Sequence, residues 1–300
     1  MYFNVQILLK ITVKKRKINK LKIIRLTLGI IITALLTAFF VDLEGKLSTG
    51  FHFIAHFQFI PAILFAMADV VPQLVILTVF IFLFGRLYCS VICPLGVFQD
   101  FISWISKKIN KKKRFKFTKS FDIIRYILLA ILIVSIIFGF GGIVGYVEPY
   151  SMYGRIATHL FKPVVMFGNN LLAAFFEWTG DYYFRKIEIP VLSIFSLKSA
   201  VIIFILVVVL SFLRGRKFCN TVCPVGLLLG FLSKLSLYKI RINKEKCNGC
   251  GLCEMNCKSE CINSKEKSVD VARCVSCFNC IGKCNRNGIS YSRKAGKGKE

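Results

Sequence analysis

Between Tyr126 and Val147 the chain carries no charged side chain, and three further apolar runs, about Ile23–Val41, Val70–Tyr88 and Ser199–Phe218, are nearly as clean. As a helix, about 19 residues rise roughly 28 Å, enough to cross the hydrocarbon layer of a membrane. Lipid offers the backbone no hydrogen-bonding partner, so runs of this kind are restricted to helices. Four transmembrane helices are therefore expected. The 42 Lys and Arg outnumber the 15 Asp and Glu, for a net charge of +27. This excess sits beside the apolar runs, at 14–22, 107–116 and 214–217. Clusters so placed mark the cytoplasmic face of a membrane protein. Nucleic-acid binding is excluded, since no basic fold with interleaved aromatics accompanies the charge.

The charge rule puts the N-terminus, 89–125 and everything after 219 inside, and 42–69 and 148–198 outside. The first run lacks a small-residue cleavage site after "LLTAFFVDLEG" and reads as an uncleaved anchor. Segments 51–72 and 163–176 are apolar but short for a span, which suits re-entrant or interfacial helices. Asp69 and Lys198 are expected at the outer ends of spans two and four.

The chain writes one motif twice: "GRLYCSVICPLG" at 85–96 and "GRKFCNTVCPVG" at 215–226, offset by 130 positions. The match continues in register, Phe101, Ser103 and Ser106 answering to Phe231, Ser233 and Ser236. Each copy then holds two spans, so both share one orientation and are expected to be related by a pseudo-two-fold axis along the membrane normal. Apolar positions Phe98, Phe101, Ile102, Ile105 and Ile109, and likewise Leu228, Phe231, Leu232 and Leu235, follow a helical period. Pro94 and Pro224 suit the first turn of those helices, where a missing N–H costs nothing. Each cysteine pair is thus expected in a turn between a span and an interfacial helix.

The C-terminal region carries "CNGCGLCEMNC" and "CVSCFNCIGKC", both C-x2-C-x2-C-x3-C. Three thiolates at that spacing wrap one [4Fe–4S] cubane, and the fourth reaches the neighbouring one. Two cubanes are expected, one on Cys247, Cys250, Cys253 and Cys284, the other on Cys274, Cys277, Cys280 and Cys257. Zinc would favour two C-x2-C pairs with a long spacer. Cys261 either packs near the second cluster or replaces Cys257 as its ligand. Thirteen cysteines is an odd number, and most lie beside segments read as cytoplasmic, so ligation is favoured over a disulfide framework.

Cys89, Cys93, Cys219 and Cys223 admit three readings. Together they form a four-thiolate set for an iron–sulfur centre or a soft ion such as Cu(I). Each pair could instead cycle between dithiol and disulfide, its thiolate favoured by a helix N-terminus and by Arg86 or Arg216. Or they are packed thiols that fix a tight turn. His52, His56 and His159 lie in the outer segments and are candidates for a metal, haem or quinone role. The segments "VDLEGK" at 41–46 and "VEPYSMYGR" at 147–155 each place an acid before Gly-Lys or Gly-Arg, a pattern suited to a quinone head or a partner.

Over about residues 20–292 the doubled motif and the cysteine tail resemble the NapH/MauN-type ferredoxin membrane proteins, which are similar to the membrane domains of NosR and CcoG. One departure is that Lys258 and Asn285 stand where bacterial two-cluster ferredoxins usually place Pro. The resemblance implies a multi-pass protein of the bacterial cytoplasmic (inner) membrane that transfers electrons. Its partners would be lipid, a quinone, and redox subunits such as a periplasmic reductase, cytochrome or flavoprotein. The alternative is an assembly factor that reduces or delivers a metal such as copper. No nucleophile–base pair or nucleotide motif is present, so an electron-transfer subunit fits better than a stand-alone enzyme.

The expected architecture is an all-α polytopic membrane domain of four transmembrane helices in a parallel internal repeat, plus a small α+β dicluster ferredoxin domain. Its parts are a basic N-terminus (1–22), repeat one (23–120), repeat two (121–240), the ferredoxin domain (241–292) and a basic tail (293–300).

Overall fold

In the computed structural model the described residues are 20–43, 45, 57–66, 71–110, 114–118, 122–179, 185–188 and 193–293. Helix α1 (Lys20–Val41) leads into α2 (Phe59–Ala66) and α3 (Pro72–Phe84), which continues through a tight turn into Tyr88–Val91. Then come α4 (Pro94–Ile109), α5 (Asp122–Ile137), α6 (Gly141–Val147), α7 (Pro149–Ile156), α8 (Lys162–Thr179), α9 (Ile194–Arg214) and α10 (Pro224–Leu235). Among the described residues, three helices are long and apolar enough to cross a membrane: Lys20–Val41, Pro72–Val91 and Ile194–Arg214.

The run 126–147 is not one helix, in contrast to its expectation as an unbroken span. Gly139 (φ +72°) takes the left-handed conformation, and the Phe140 and Gly139 amides donate to the carbonyls of Ser135 and Ile136. That pairing is a Schellman cap, which ends a helix by satisfying its last carbonyls. Gly139, Gly141 and Gly142 were the sequence signal for the break. The segment 163–176 lies within α8, and α2 is the described helix of the other apolar outer segment.

Helices α4 and α10 do not stand apart from the spans. Helix α4 packs along α1 and α9, and α10 packs along α5 and α3. Each post-motif helix therefore rests on the span that precedes the opposite motif. Close approach needs small residues: a Cβ on Gly29 would lie 3.2 Å from the Ser90 carbonyl oxygen and 3.3 Å from Val97. In lipid, apolar helix faces gain little by meeting each other, so fit and buried polar contacts must hold the bundle.

After α10 the chain forms the small tail. Strand β1 (Lys239–Ile242) pairs antiparallel with β4 (Ile289–Ser292), Ile240 opposite Tyr291. Between them, β2 (Ile262–Asn263) pairs antiparallel with β3 (Ser268–Val269). First and last strands together enclose both cysteine runs. The Leu237 and Tyr238 amides donate to the carbonyls of Phe82 and Leu83, seating the tail against the end of α3.

Candidate functional site

The Gly-Arg of each motif does two jobs. Gly85 (φ +65°) and Gly215 (φ +69°) cap the spans, donating to the carbonyls of Ile81 and Ser211. Only glycine adopts that conformation without strain. Arg86 and Arg216 then run inward and are 1% and 0% exposed. Arg86 donates to the Cys219 carbonyl at 3.2 Å, to Asn220 Oδ1 at 3.0 Å and to the Ala272 carbonyl at 2.7 Å. Arg216 donates to the Cys89 carbonyl at 2.7 Å and to Asp100 Oδ1 at 2.7 Å. Each cysteine turn is thus braced by the arginine of the other motif.

This brace gives the arginines a role other than thiolate activation. Burial pushes the Cys93, Cys219 and Cys223 thiols up, neighbouring thiols add to the rise, and Arg216 and Arg86 offset only part of it at Cys219. Thiols in such a setting stay protonated unless a cationic centre holds them. The four lie in one buried neighbourhood: Cys219, Cys89 and Cys223 all act on Cys93. Gln99 Nε2 donates to Cys219 Sγ at 3.2 Å, and the Gly226 amide donates to Cys223 Sγ at 3.3 Å. Pro94 and Pro224 occupy the first turns of α4 and α10.

In the tail, a cavity of about 200 Å³ is lined by Cys247, Cys250, Cys253 and Cys284. A narrower one is lined by Cys257, Cys274, Cys277, Cys280 and Cys261. Both cysteine runs bend alike: Gly249 and Gly251 flank Cys250 at φ +72° and +71°, and Ser276 and Phe278 flank Cys277 at +50° and +59°. Left-handed residues among right-handed ones aim successive amides into a concavity, the nest that many iron–sulfur sites use. Ser259 Oγ, buried and without a partner, lines the second cavity and could donate to a cluster sulfur. The donor sets fit two cubanes. Among the described residues, no three His, Cys, Asp or Glu converge tightly enough for a single ion.

Cys261 Sγ lies 3.4 Å from Cys257 Sγ, and the contact between the two thiols lowers Cys257 and raises Cys261. His159 sits in a five-residue π-turn, Ala157–Phe161, and its Nδ1 has no partner. Burial and Arg155 lower it below the ordinary imidazole range. His52 and His56 lie outside the described residues.

The two thiol regions meet. Val275 and Cys277 belong to the same buried core as Cys89, Cys93 and Cys223. Around that junction, the Asn220 amide side chain donates to the Ser259 carbonyl at 3.0 Å, and the Arg216 amide donates to the Lys258 carbonyl at 2.9 Å. Asp100 takes Arg25 at 2.6 Å, Arg216 at 2.7 Å and Lys258 at 3.4 Å. Burial alone would raise this carboxyl, but the cations hold it well below the usual carboxylate range. Asp100 escaped the sequence reading; the signal was its twin at the 130-residue offset, Gly230, where the pattern breaks. A Cβ there would lie 2.8 Å from the Ala272 carbonyl. That carbonyl, an acceptor for Arg86, stands where Asp100 stands for Arg216.

Two family models described as 4Fe-4S binding domain match, one at residues 70–112 and 198–244, the other at 240–263. An uncharacterized protein of Methanocaldococcus jannaschii is 25% identical, over 91% of this chain and 88% of its own. The ferredoxin-type protein NapH of Escherichia coli is 26% identical, over 75% of this chain and 68% of its own. The methylamine utilization ferredoxin-type protein MauN of Methylobacillus flagellatus is 26% identical, over 61% and 52% respectively. No solved structure matches. The matched domains and these relatives together support a place for the chain in the NapH/MauN-type ferredoxin family.

Proposed function

We propose that this membrane protein relays electrons between a redox partner at its cysteine tail and the quinone pool or a membrane or periplasmic acceptor. The single observation that carries this is the shared core of Val275 and Cys277 with Cys89, Cys93 and Cys223. A relay needs its redox groups close and shielded from water, and this buried junction offers both. Cys274, Cys277, Cys280 and Cys257 would hold the cluster nearer the membrane thiols. Cys247, Cys250, Cys253 and Cys284 would hold the farther one, with Cys250 exposed to a docking partner. A cubane supplies one-electron storage, its potential set by hydrogen bonds and exposure. Ser259 is placed to supply such a bond.

The reciprocal arginines support two copies of one unit, both facing the same way, with the broken 122–147 segment as a fourth crossing. The lysine-rich segments favour a cytoplasmic tail. For a quinone head the best-suited place is the cavity of about 310 Å³ where the helix breaks, lined by Ser135, Gly139, Gly145, Glu148, Tyr150 and Ser151. Glu148 there could accept a quinol proton. Interrupted helices commonly form membrane binding sites in this way. The assembly-factor alternative gains no support from the relatives' names.

Anaerobic purification with iron and sulfide counts and EPR tests the proposal. About eight irons per chain are expected from the tail, reducible by a quinol or a low-potential donor. Clusters that neither reductant can reach would overturn it.

A further inference from the structure

A cavity of about 660 Å³ lies outside the thiol centre, between α1, α4 and the tail. Its two walls carry matched gradients. Along α1, Lys22, Leu26 and Ile30 fall on one stripe at successive four-residue steps. Along α4, Lys107 stands above Trp104, Phe101 and Val97. The helices run antiparallel here, since Val97 faces Gly29 while Lys22 and Lys107 share the other end. One end of the cavity is therefore cationic and the other apolar. Leu26, Ile30, Phe101 and Trp104 are between 43% and 56% exposed, a lipid-facing surface rather than a core.

Charge at the polar end is not balanced. Asp100 is the single acid of the lining, and its two oxygens are taken by Arg25, Arg216 and Lys258. Lys22 and Lys283 have no acidic partner among the described residues, and Lys107 reaches only Asn256 Oδ1, at 2.9 Å, and the face of Phe115. Burial and the ammonium groups of Lys258, Lys283 and Lys22 depress the Lys107 amine, and the neighbouring Cys277 thiol offsets only part of that. Such an arrangement favours a diffuse anion carrying apolar chains.

We propose that this cavity binds an anionic phospholipid, its phosphate between Lys22, Lys107 and Lys283 and its acyl chains along Leu26, Ile30, Phe101 and Trp104. Because Lys258, Lys283 and Asn279 belong to the tail, the bound lipid would tie the cysteine domain to the bilayer. The inference rests on the membrane reading of α1 and on the seating of the tail, not on what the clusters do.

Trp104 and Trp178 are the two tryptophans of the chain. A Trp178→Phe variant, purified anaerobically with its clusters and placed in detergent micelles, leaves Trp104 as a reporter within the cavity. Phosphatidylglycerol with brominated chains, which quench tryptophan on contact, is titrated against phosphatidylcholine with the same chains. Saturable quenching by the anionic lipid at a mole fraction at least fivefold lower is the expected result. Lys22→Gln with Lys107→Gln should abolish that preference, and Lys22→Arg with Lys107→Arg should keep it, while the visible absorption of the clusters stays unchanged. Equal quenching by the two lipids in the Trp178→Phe protein overturns the proposal. So does full displacement of the anionic lipid by millimolar inorganic phosphate, which would make the ligand a soluble anion. Quenching by neither lipid overturns the membrane reading along with it.

Discussion

Arg216 lies beneath the turn that carries Cys89 and donates from Nη1 to its carbonyl oxygen at 2.7 Å. Arg86 does the same for Cys219. Neither cysteine turn is complete without the other half of the molecule, so the thiol region and the bundle form together. A guanidinium suits this task because its planar fork serves several acceptors at once and keeps its charge when buried.

The Asp100 cluster should be the most sensitive polar point outside the cysteines. Asp100→Asn leaves Arg25 and Arg216 buried without their anion, and removing one partner of a buried pair costs about 3–5 kcal/mol. Denaturant unfolding of the cluster-loaded protein in detergent checks this. The carboxyl is held well below 3.8 in the folded protein, so its contribution is whole at neutral pH. That contribution is lost only as pH falls through the depressed folded value.

Space, not conformation, fixes the last glycine of each motif. A Cβ on Gly96 would sit 2.1 Å from the Cys89 carbonyl, and one on Gly226 would sit 2.3 Å from that of Cys219. Gly96→Ala and Gly226→Ala should each cut the yield of folded protein severely. Gly168→Ala on α8 meets nothing within 4 Å and should be neutral or stabilising by up to about 1 kcal/mol. Expression yield and thermal unfolding separate the three.

Gly230→Ala is expected to loosen the tail and the Arg86 brace with it, because its Cβ meets the Ala272 carbonyl, an Arg86 acceptor, at 2.8 Å. Limited proteolysis should then release the segment after Leu235 faster than in the parent.

Within the tail, Cys261→Ser should retain about eight irons, whereas Cys250→Ser or Cys277→Ser should lose about four. Iron analysis decides it. The contact between Cys261 and Cys257 also predicts that Cys261→Ser shifts the reduction potential of one cluster and leaves the other alone.

Burial raises the Glu148 carboxyl to about 7 from an ordinary 4.5, against the opposing bond from Ser151 at 2.6 Å. The folded state therefore binds this proton more tightly than the unfolded one. Stability from the group is complete below pH 4.5 and is lost as pH rises from there to about 7, by about 3 kcal/mol. Glu148→Gln should flatten that slope in unfolding measurements. If the cavity holds a quinone head, the same variant should slow quinol-driven cluster reduction at neutral pH.

By itself the sequence determined the chemistry and the materials of this fold. Lipid allows the backbone few shapes, so the apolar runs of α1, α3 and α9 could be read locally, as could the 4Fe-4S character of the cysteine tail from its spacing. Pro94 and Pro224 announced the starts of α4 and α10. What only the tertiary structure decided was which groups meet across long separations. Arg86 bracing Cys219, Asp100 collecting three cations, and Val275 joining the membrane thiols depend on how α4 and α10 exchange partners. No local periodicity encodes that exchange. The break at Gly139 lies between these cases: its glycines were visible, but continued hydropathy masked them, because transfer into lipid rewards apolar residues whether or not the helix is continuous.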